Sequence, residues 1–292
     1  MFQGSFVALI TPFKNGKVDE EKLRELVEFH IQNGTNGIVP CGTTGESPTL
    51  SYEEHKRVIK IVVEQSKKRV PVVAGTGSNS TEEALELTMD AKVSGVDAVL
   101  LVSPYYNKPT QKGLYLHFKE IAMKTKMPIV VYNIPSRTGV NVEPSTLAEL
   151  VRDCPNIIGV KESTGNMDQA SATMNLCGKD FCVLSGDDSL TLPIMALGGK
   201  GVISVIANIL PKDVSELTAS FFKGDIEKAK SIHYRMFNLV KALFLETNPI
   251  PIKTAMQILK MDTGEMRLPL SQMGNENVEK LKKAMIDYKL LK

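Results

Sequence analysis

Short apolar, β-branched runs recur along the chain, at residues 5–10, 37–41, 70–74, 98–102, 128–132, 157–161, 181–185 and 201–205. Most are almost continuously hydrophobic, as strands buried on both faces of a parallel sheet must be. Amphipathic segments separate them. Leu23, Leu26, Val27, His30 and Ile31 fall on one face of a helix of period 3.6. Ser51 with Glu54, and Ser80 with Glu83, fit the box that caps a helix start, and Gly34, Gly95 and Gly113 mark segment ends or adjoining loops. The runs begin roughly every 20 to 33 residues, the spacing of βα units. Eight units in succession predict a closed (β/α)8 TIM barrel, an α/β fold, whereas an open doubly wound sheet usually stops nearer six strands. From Pro211 onward the pattern is helical without a further strand, broken at Pro249 and Pro251. This predicts a barrel over residues 1–224 and a C-terminal helical extension over residues 225–292.

Composition narrows the class. The chain has 292 residues, with 35 Lys+Arg against 33 Asp+Glu and a net charge of +2. Balanced charge argues against nucleic acid or an anionic membrane as partner. The apolar runs are far shorter than the roughly 20 residues that a bilayer span needs, and the start of the chain carries no signal-peptide pattern. Cys41, Cys154, Cys177 and Cys182 form no C-x-x-C pair, which predicts reduced thiols in a cytoplasmic protein. His30, His55, His117 and His233 lack zinc-ligand spacing, so neither a metal nor a cofactor is expected.

In such a barrel the active site lies at the C-terminal ends of the strands. Those ends carry Thr11, Thr43-Thr44-Gly45-Glu46, Gly75-Thr76-Gly77, Pro104-Tyr105-Tyr106, Tyr132-Asn133, Lys161-Glu162, Gly186-Asp187-Asp188 and Ala207-Asn208. Lys161 ends a run that should lie in the barrel wall. Loss of water disfavours an ammonium and leaves an amine able to attack a carbonyl and form a Schiff base. The alternative is a lysine neutralised by Glu162 or by a phosphate ligand. Tyr132 ends the preceding run with Val130 on the same face, so its ring should point into the barrel mouth near Lys161, as a proton relay or as a plug bonded to a backbone carbonyl. Gly42-Thr43-Thr44-Gly45 offers hydroxyls and N–H groups to a carboxylate, although ordinary turn chemistry also produces this pattern. Gly75-Thr76-Gly77 imitates a dinucleotide fingerprint but has Ser80 where the third glycine belongs; a helix cap accounts for it better. Asp187-Asp188 reads as a solvated loop in preference to a magnesium site.

GTTGES at residues 42–47, SPYYNKP at 103–109, YNIPSRTG at 132–139, GVKESTGN at 159–166 and LSGDD at 184–188 together resemble the dihydrodipicolinate synthase family. The likeness runs from GSFVALITPF at the first strand to NPIPIK and RLPL near the end. It implies a lyase that joins pyruvate to L-aspartate 4-semialdehyde in lysine and diaminopimelate biosynthesis. Lys161 would form the Schiff base, and Thr43, Tyr106 and Tyr132 would relay protons, Tyr106 reaching into a neighbouring subunit's site. Thr44 would hold the pyruvate carboxylate, Arg137 the semialdehyde carboxylate through its planar fork, and the backbone of Gly186 and Ile203 would line the pyruvate side. The lesser alternative for Arg137 is a surface loop arginine. The resemblance also implies a homo-oligomer, a dimer or a dimer of dimers.

Single motifs are shared with other pyruvate-dependent aldolases such as N-acetylneuraminate lyase; Arg137 argues against a polyhydroxylated aldehyde. A barrel that only binds oxo-acids is the third reading. Relatives inhibited by lysine place that ligand on residues matching Ser47, His55, Asn79, Glu83 and Tyr105. Pro48 and Tyr52 depart from the usual residues there, and Glu83 has a competing use in the cap of Ser80.

Overall fold

The computed structural model describes residues 2–291. The first apolar run forms β1 (Gly4–Ala8), followed by a two-residue hairpin of β2 (Phe13–Lys14) and β3 (Lys17–Val18). The remaining barrel strands are β4 (Gly37–Val39), β5 (Val73–Gly75), β6 (Ala98–Val102), β7 (Ile129–Asn133), β8 (Ile157–Glu162), β9 (Cys182–Ser185) and β10 (Gly201–Ser204). They pair in parallel in the order β4-β1-β10-β9-β8-β7-β6-β5. A bridge between Ile38 and Val72, with the Ile38 N–H donating to the Pro71 carbonyl at 3.0 Å, joins the two ends. The sheet is thus the expected eight-stranded barrel.

Helices α1 (Glu20–Gln32), α2 (Tyr52–Ser66), α3 (Thr81–Ser94), α4 (Gln111–Thr125), α6 (Pro144–Asp153), α7 (Met167–Cys177), α8 (Thr191–Ala196) and α9 (Pro211–Phe222) alternate with the strands. A single turn, α5 (Pro135–Thr138), follows β7. Beyond the barrel, α10 (Ile226–Ala242) packs on α8 and α9, while α11 (Ile250–Ile258) and α12 (Asn275–Asp287) pack on each other. Among the described residues no helix is long and apolar enough to cross a membrane.

Two cores result from the period-two geometry of strands. Phe6, Ala8, Val39, Leu100, Val130, Leu184 and Ile203 fill the barrel, while their neighbours Val7, Ile38, Val99, Leu101 and Val131 pack outward under the helices. The side on which a residue falls therefore decides whether it can reach the mouth.

Some expectations need correcting. The runs at residues 37–41 and 70–74 yield three-residue strands, since the barrel needs only a short rung at each position. The hairpin has too few residues for any alternation to show; Asn15 and Gly16, both at positive φ, make its turn. Gly113 lies inside the first turn of α4 and not at a boundary. The box at Ser51 and Glu54 is complete, whereas Ser80 caps α3 alone: Glu83 turns its carboxylate to the hydroxyls of Tyr52 and Ser78. Gly75-Thr76-Gly77 is explained by crowding, because a Cβ on Gly75 would stand 2.2 Å from the Cys41 carbonyl oxygen. Asp188 is no solvated loop residue. It is buried, and its Oδ2 accepts from the N–H groups of Val205 and Ile206, both at 3.0 Å. Burial pushes its carboxyl above the usual range.

Candidate active site

Lys161 lies on β8 with its side chain inside the barrel, only 5% exposed. It pairs in register with Tyr132 of β7 and Leu184 of β9. Its Nζ sits 4.1 Å from the centre of the Tyr132 ring. Glu162, one residue on, points to the other face, where its carboxylate accepts from the Thr164 N–H at 2.8 Å. Lys161 has no ion pair within 4.0 Å among the described residues. Neutralisation by Glu162 is therefore excluded by strand geometry. Gly186, after β9, leaves room beside the amine: a Cβ there would lie 3.0 Å from Lys161 Cε and collide with Ser163 Oγ. Asp187 faces the same region, its carboxyl pushed up by burial and drawn down in part by Lys161. Ile203, on β10, is buried in the barrel interior.

The GTTGES loop after β4 is held from below by groups that sequence reading passed over. Glu46 adopts a left-handed backbone (φ 54°) and is buried. Its Oε1 meets Lys253 Nζ of α11 at 2.7 Å, with both side chains wholly inaccessible. Lys253 also donates to the Thr11 carbonyl at 2.9 Å and lies 4.4 Å from the centre of the Phe13 ring. Burial pulls its ammonium down from the usual lysine range, and Glu46 opposes that shift. The second Glu46 oxygen accepts from the Arg267 N–H at 3.1 Å, and Arg267 grips Glu54 with two N–H groups, both at 2.6 Å. Thr11 Oγ1 donates to the Gly45 carbonyl at 2.6 Å. Apart from Thr11 and Gly45, the partners of this network lie more than 200 residues apart, so no local pattern announces them.

A cavity of about 380 Å³ opens above Tyr132. Its lining includes Thr43, Tyr132 and Arg137 together with Ser47, Pro48, Tyr52, His55, Glu83 and Tyr105. Asn79 stands beside it, donating to the Tyr105 carbonyl at 3.2 Å. Burial, with Glu83 nearby, pushes the Tyr105 phenol up, and burial lowers the His55 imidazole to about 4. Thr44, Lys161, Gly186 and Ile203 do not line this cavity, whereas Tyr132 lines it and also meets Lys161 Nζ over its ring. Tyr106 is the exception. It adopts a left-handed backbone (φ 71°) and is 90% exposed, turned away from its own barrel's cavity.

A closed (β/α)8 barrel with a buried, unpaired lysine on an interior strand face beside a tyrosine is the framework of a Schiff-base-forming aldolase. The model of the dihydrodipicolinate synthetase family matches residues 1–287, and the chain belongs to that family. It is 57% identical over 291 residues, covering all of both chains, to the 4-hydroxy-tetrahydrodipicolinate synthase of Geotalea uraniireducens. The crystal structure of dihydrodipicolinate synthase from Aquifex aeolicus superposes with a TM-score of 0.97 at 55% identity, covering 99% of each chain. That of the Cyanidioschyzon merolae enzyme, described with lysine bound, does so with 0.96 at 40% identity, again over 99% of each.

Proposed function

We infer that Lys161 carries the chemistry of this chain. The chain is a lyase that condenses pyruvate with L-aspartate 4-semialdehyde to 4-hydroxy-tetrahydrodipicolinate in lysine and diaminopimelate biosynthesis. Its relatives described above are named for this synthase activity. The observation that supports the role of Lys161 is its burial without a counter-ion, against the ring of Tyr132. Its amine adds to the pyruvate C2 carbonyl and water leaves, giving the Schiff base. Loss of a C3 proton makes the enamine, whose C3 attacks the semialdehyde carbonyl carbon. The substrate amine then displaces Lys161 as the ring closes. Thr43 and Tyr132, both at the cavity, are placed to pass protons; Thr44 and Arg137 supply donors for the two carboxylates, and the backbone of Gly186 and Ile203 flanks the keto acid. Borohydride reduction in the presence of pyruvate tests the assignment. The expected result is a reduced adduct on Lys161 by peptide mass; an unmodified Lys161 with the adduct elsewhere overturns it.

The exposure of Tyr106 supports an oligomer in which this ring completes the site of a second copy, as a dimer or a dimer of dimers. Lys161→Ala and Tyr106→Phe should each be poorly active alone. When subunits of the two are mixed and reassembled, one site of each heterodimer carries both lesions and the other neither. Random exchange should then restore about a quarter of wild-type activity, a consequence of two-fold pairing. No recovery on exchange would place Tyr106 outside the neighbouring site.

The lining of the cavity by Ser47, His55, Glu83 and Tyr105, with Asn79 beside it, supports a lysine-binding role for these five residues. Its carboxylate, Glu83, is the natural partner of a ligand ammonium but is engaged by Tyr52 and Ser78. Millimolar L-lysine should therefore slow the reaction, and Tyr52→Phe, which frees a Glu83 oxygen, should lower the half-inhibiting concentration several-fold. Unchanged rates in both proteins at these concentrations would remove this role.

A further inference from the structure

Asn248 lies in the C-terminal extension, between α10 and α11, and is 6% exposed. Its side-chain Nδ2 donates to Thr44 Oγ1 at 3.0 Å, and its main-chain carbonyl accepts from Arg137 Nη2 at 3.0 Å. One residue outside the barrel thus touches the threonine of the loop after β4 and the arginine of the turn after β7. A threonine hydroxyl carries a single proton and can also accept. Because the Asn248 amide donates into the Thr44 oxygen, the hydroxyl proton remains available, and no other partner of that hydroxyl exists among the described residues. The Asn248 carbonyl occupies one N–H of the Arg137 guanidinium and leaves the others for a ligand.

We propose that Asn248 is a positioning residue for pyruvate: its amide holds Thr44 as a hydrogen-bond donor toward the carboxylate of the keto acid. Its carbonyl meanwhile fixes the direction of Arg137 toward the second carboxylate. This rests on the assignment of Thr44 and Arg137 as carboxylate-binding residues. The two functions of Asn248 are separable by substitution, since the side chain serves Thr44 whereas the main-chain carbonyl survives any replacement. A neutral amide is also required. An aspartate at this position would accept the Thr44 proton, reverse the direction of the hydrogen bond and add a negative charge beside an anionic substrate.

Steady-state kinetics with each substrate varied in turn test the proposal. Asn248→Ala should raise KM for pyruvate about tenfold while KM for the semialdehyde changes about twofold or less and kcat falls less than about threefold. Asn248→Asp, nearly isosteric, should raise KM for pyruvate further, and it gives the reading should the alanine variant not fold. Thr44→Val should itself raise KM for pyruvate, and adding Asn248→Ala to it should have little further effect, because the amide acts through that hydroxyl. A normal KM for pyruvate in Asn248→Ala beside a raised one in Thr44→Val overturns the inference alone, as do additive effects in the double variant. Equal rises in both KM values with a lowered Tm reduce Asn248 to a structural brace and overturn it too. An unchanged KM in Thr44→Val overturns the assignment of Thr44 and this inference with it.

Discussion

Lys161→Ala is expected to lower the condensation rate by about four to six orders of magnitude, because no neighbouring amine replaces it and the enamine route is lost. A coupled assay with both substrates measures this. The fold should survive. The buried stem of Lys161 makes no ion pair, and its side chain has no hydrogen-bond partner to abandon among the described residues. Lys161→Met, which keeps the volume of the stem, should therefore match or exceed the wild-type Tm while remaining inactive. A large Tm loss in Lys161→Met would mark the residue as structural. Activity within about tenfold of wild type in Lys161→Ala would dismiss it as the Schiff-base residue.

The other buried lysine should behave in the opposite way. Lys253→Met leaves Glu46 buried without its partner and frees the Thr11 carbonyl, for an expected loss of about 3–5 kcal/mol in folding stability. Glu46→Gln should cost a similar amount, since Lys253 is then the unpaired group. The double variant Glu46→Gln with Lys253→Met should lose less than the sum, because no stranded charge remains. Denaturant unfolding followed by circular dichroism reads all three. Because Glu46 ends the turn that carries Thr43 and Thr44, the single variants should also lose activity at temperatures where they remain folded. A loss below about 1 kcal/mol in Lys253→Met would show the pair to be incidental.

These two lysines mark the boundary between what the sequence reveals and what only the fold reveals. Lys161 stood out because it ends a run of residues that belong inside a barrel wall, and Tyr132 because Val130 placed it on the inward face. The period of a strand is a local property, so facing survives in the sequence. Lys253 did not stand out. It lies in a helical stretch, NPIPIK, whose neighbours say nothing of Glu46, 207 positions earlier. Asn248 lies in the same stretch, and its contacts with Thr44 and Arg137 are equally remote. Only the return half of the Ser80–Glu83 box is missing: Ser80 accepts from the Glu83 N–H, but Tyr52 of α2 and Ser78 take the Glu83 carboxylate.

The burial of Asp188 is hidden from the sequence on the same ground. Two adjacent carboxylates in a loop usually face water, yet here one accepts from the N–H groups of Val205 and Ile206, just after the neighbouring strand β10. The brevity of β4 and β5 was also hidden, since a continuous apolar run looks the same whether three or five of its residues pair.

By itself, the chain's pattern determined the eight βα units, their closure into a barrel, the helical tail and the inward lysine and tyrosine, because each follows from hydrophobic periodicity over a few residues. The tertiary structure alone decided which polar groups meet: Glu46 with Lys253, Asn248 with Thr44 and Arg137, Glu83 with Tyr52. Those contacts depend on where distant segments come to rest, and a hydrogen bond needs placement to a fraction of an ångström that no spacing along the chain encodes.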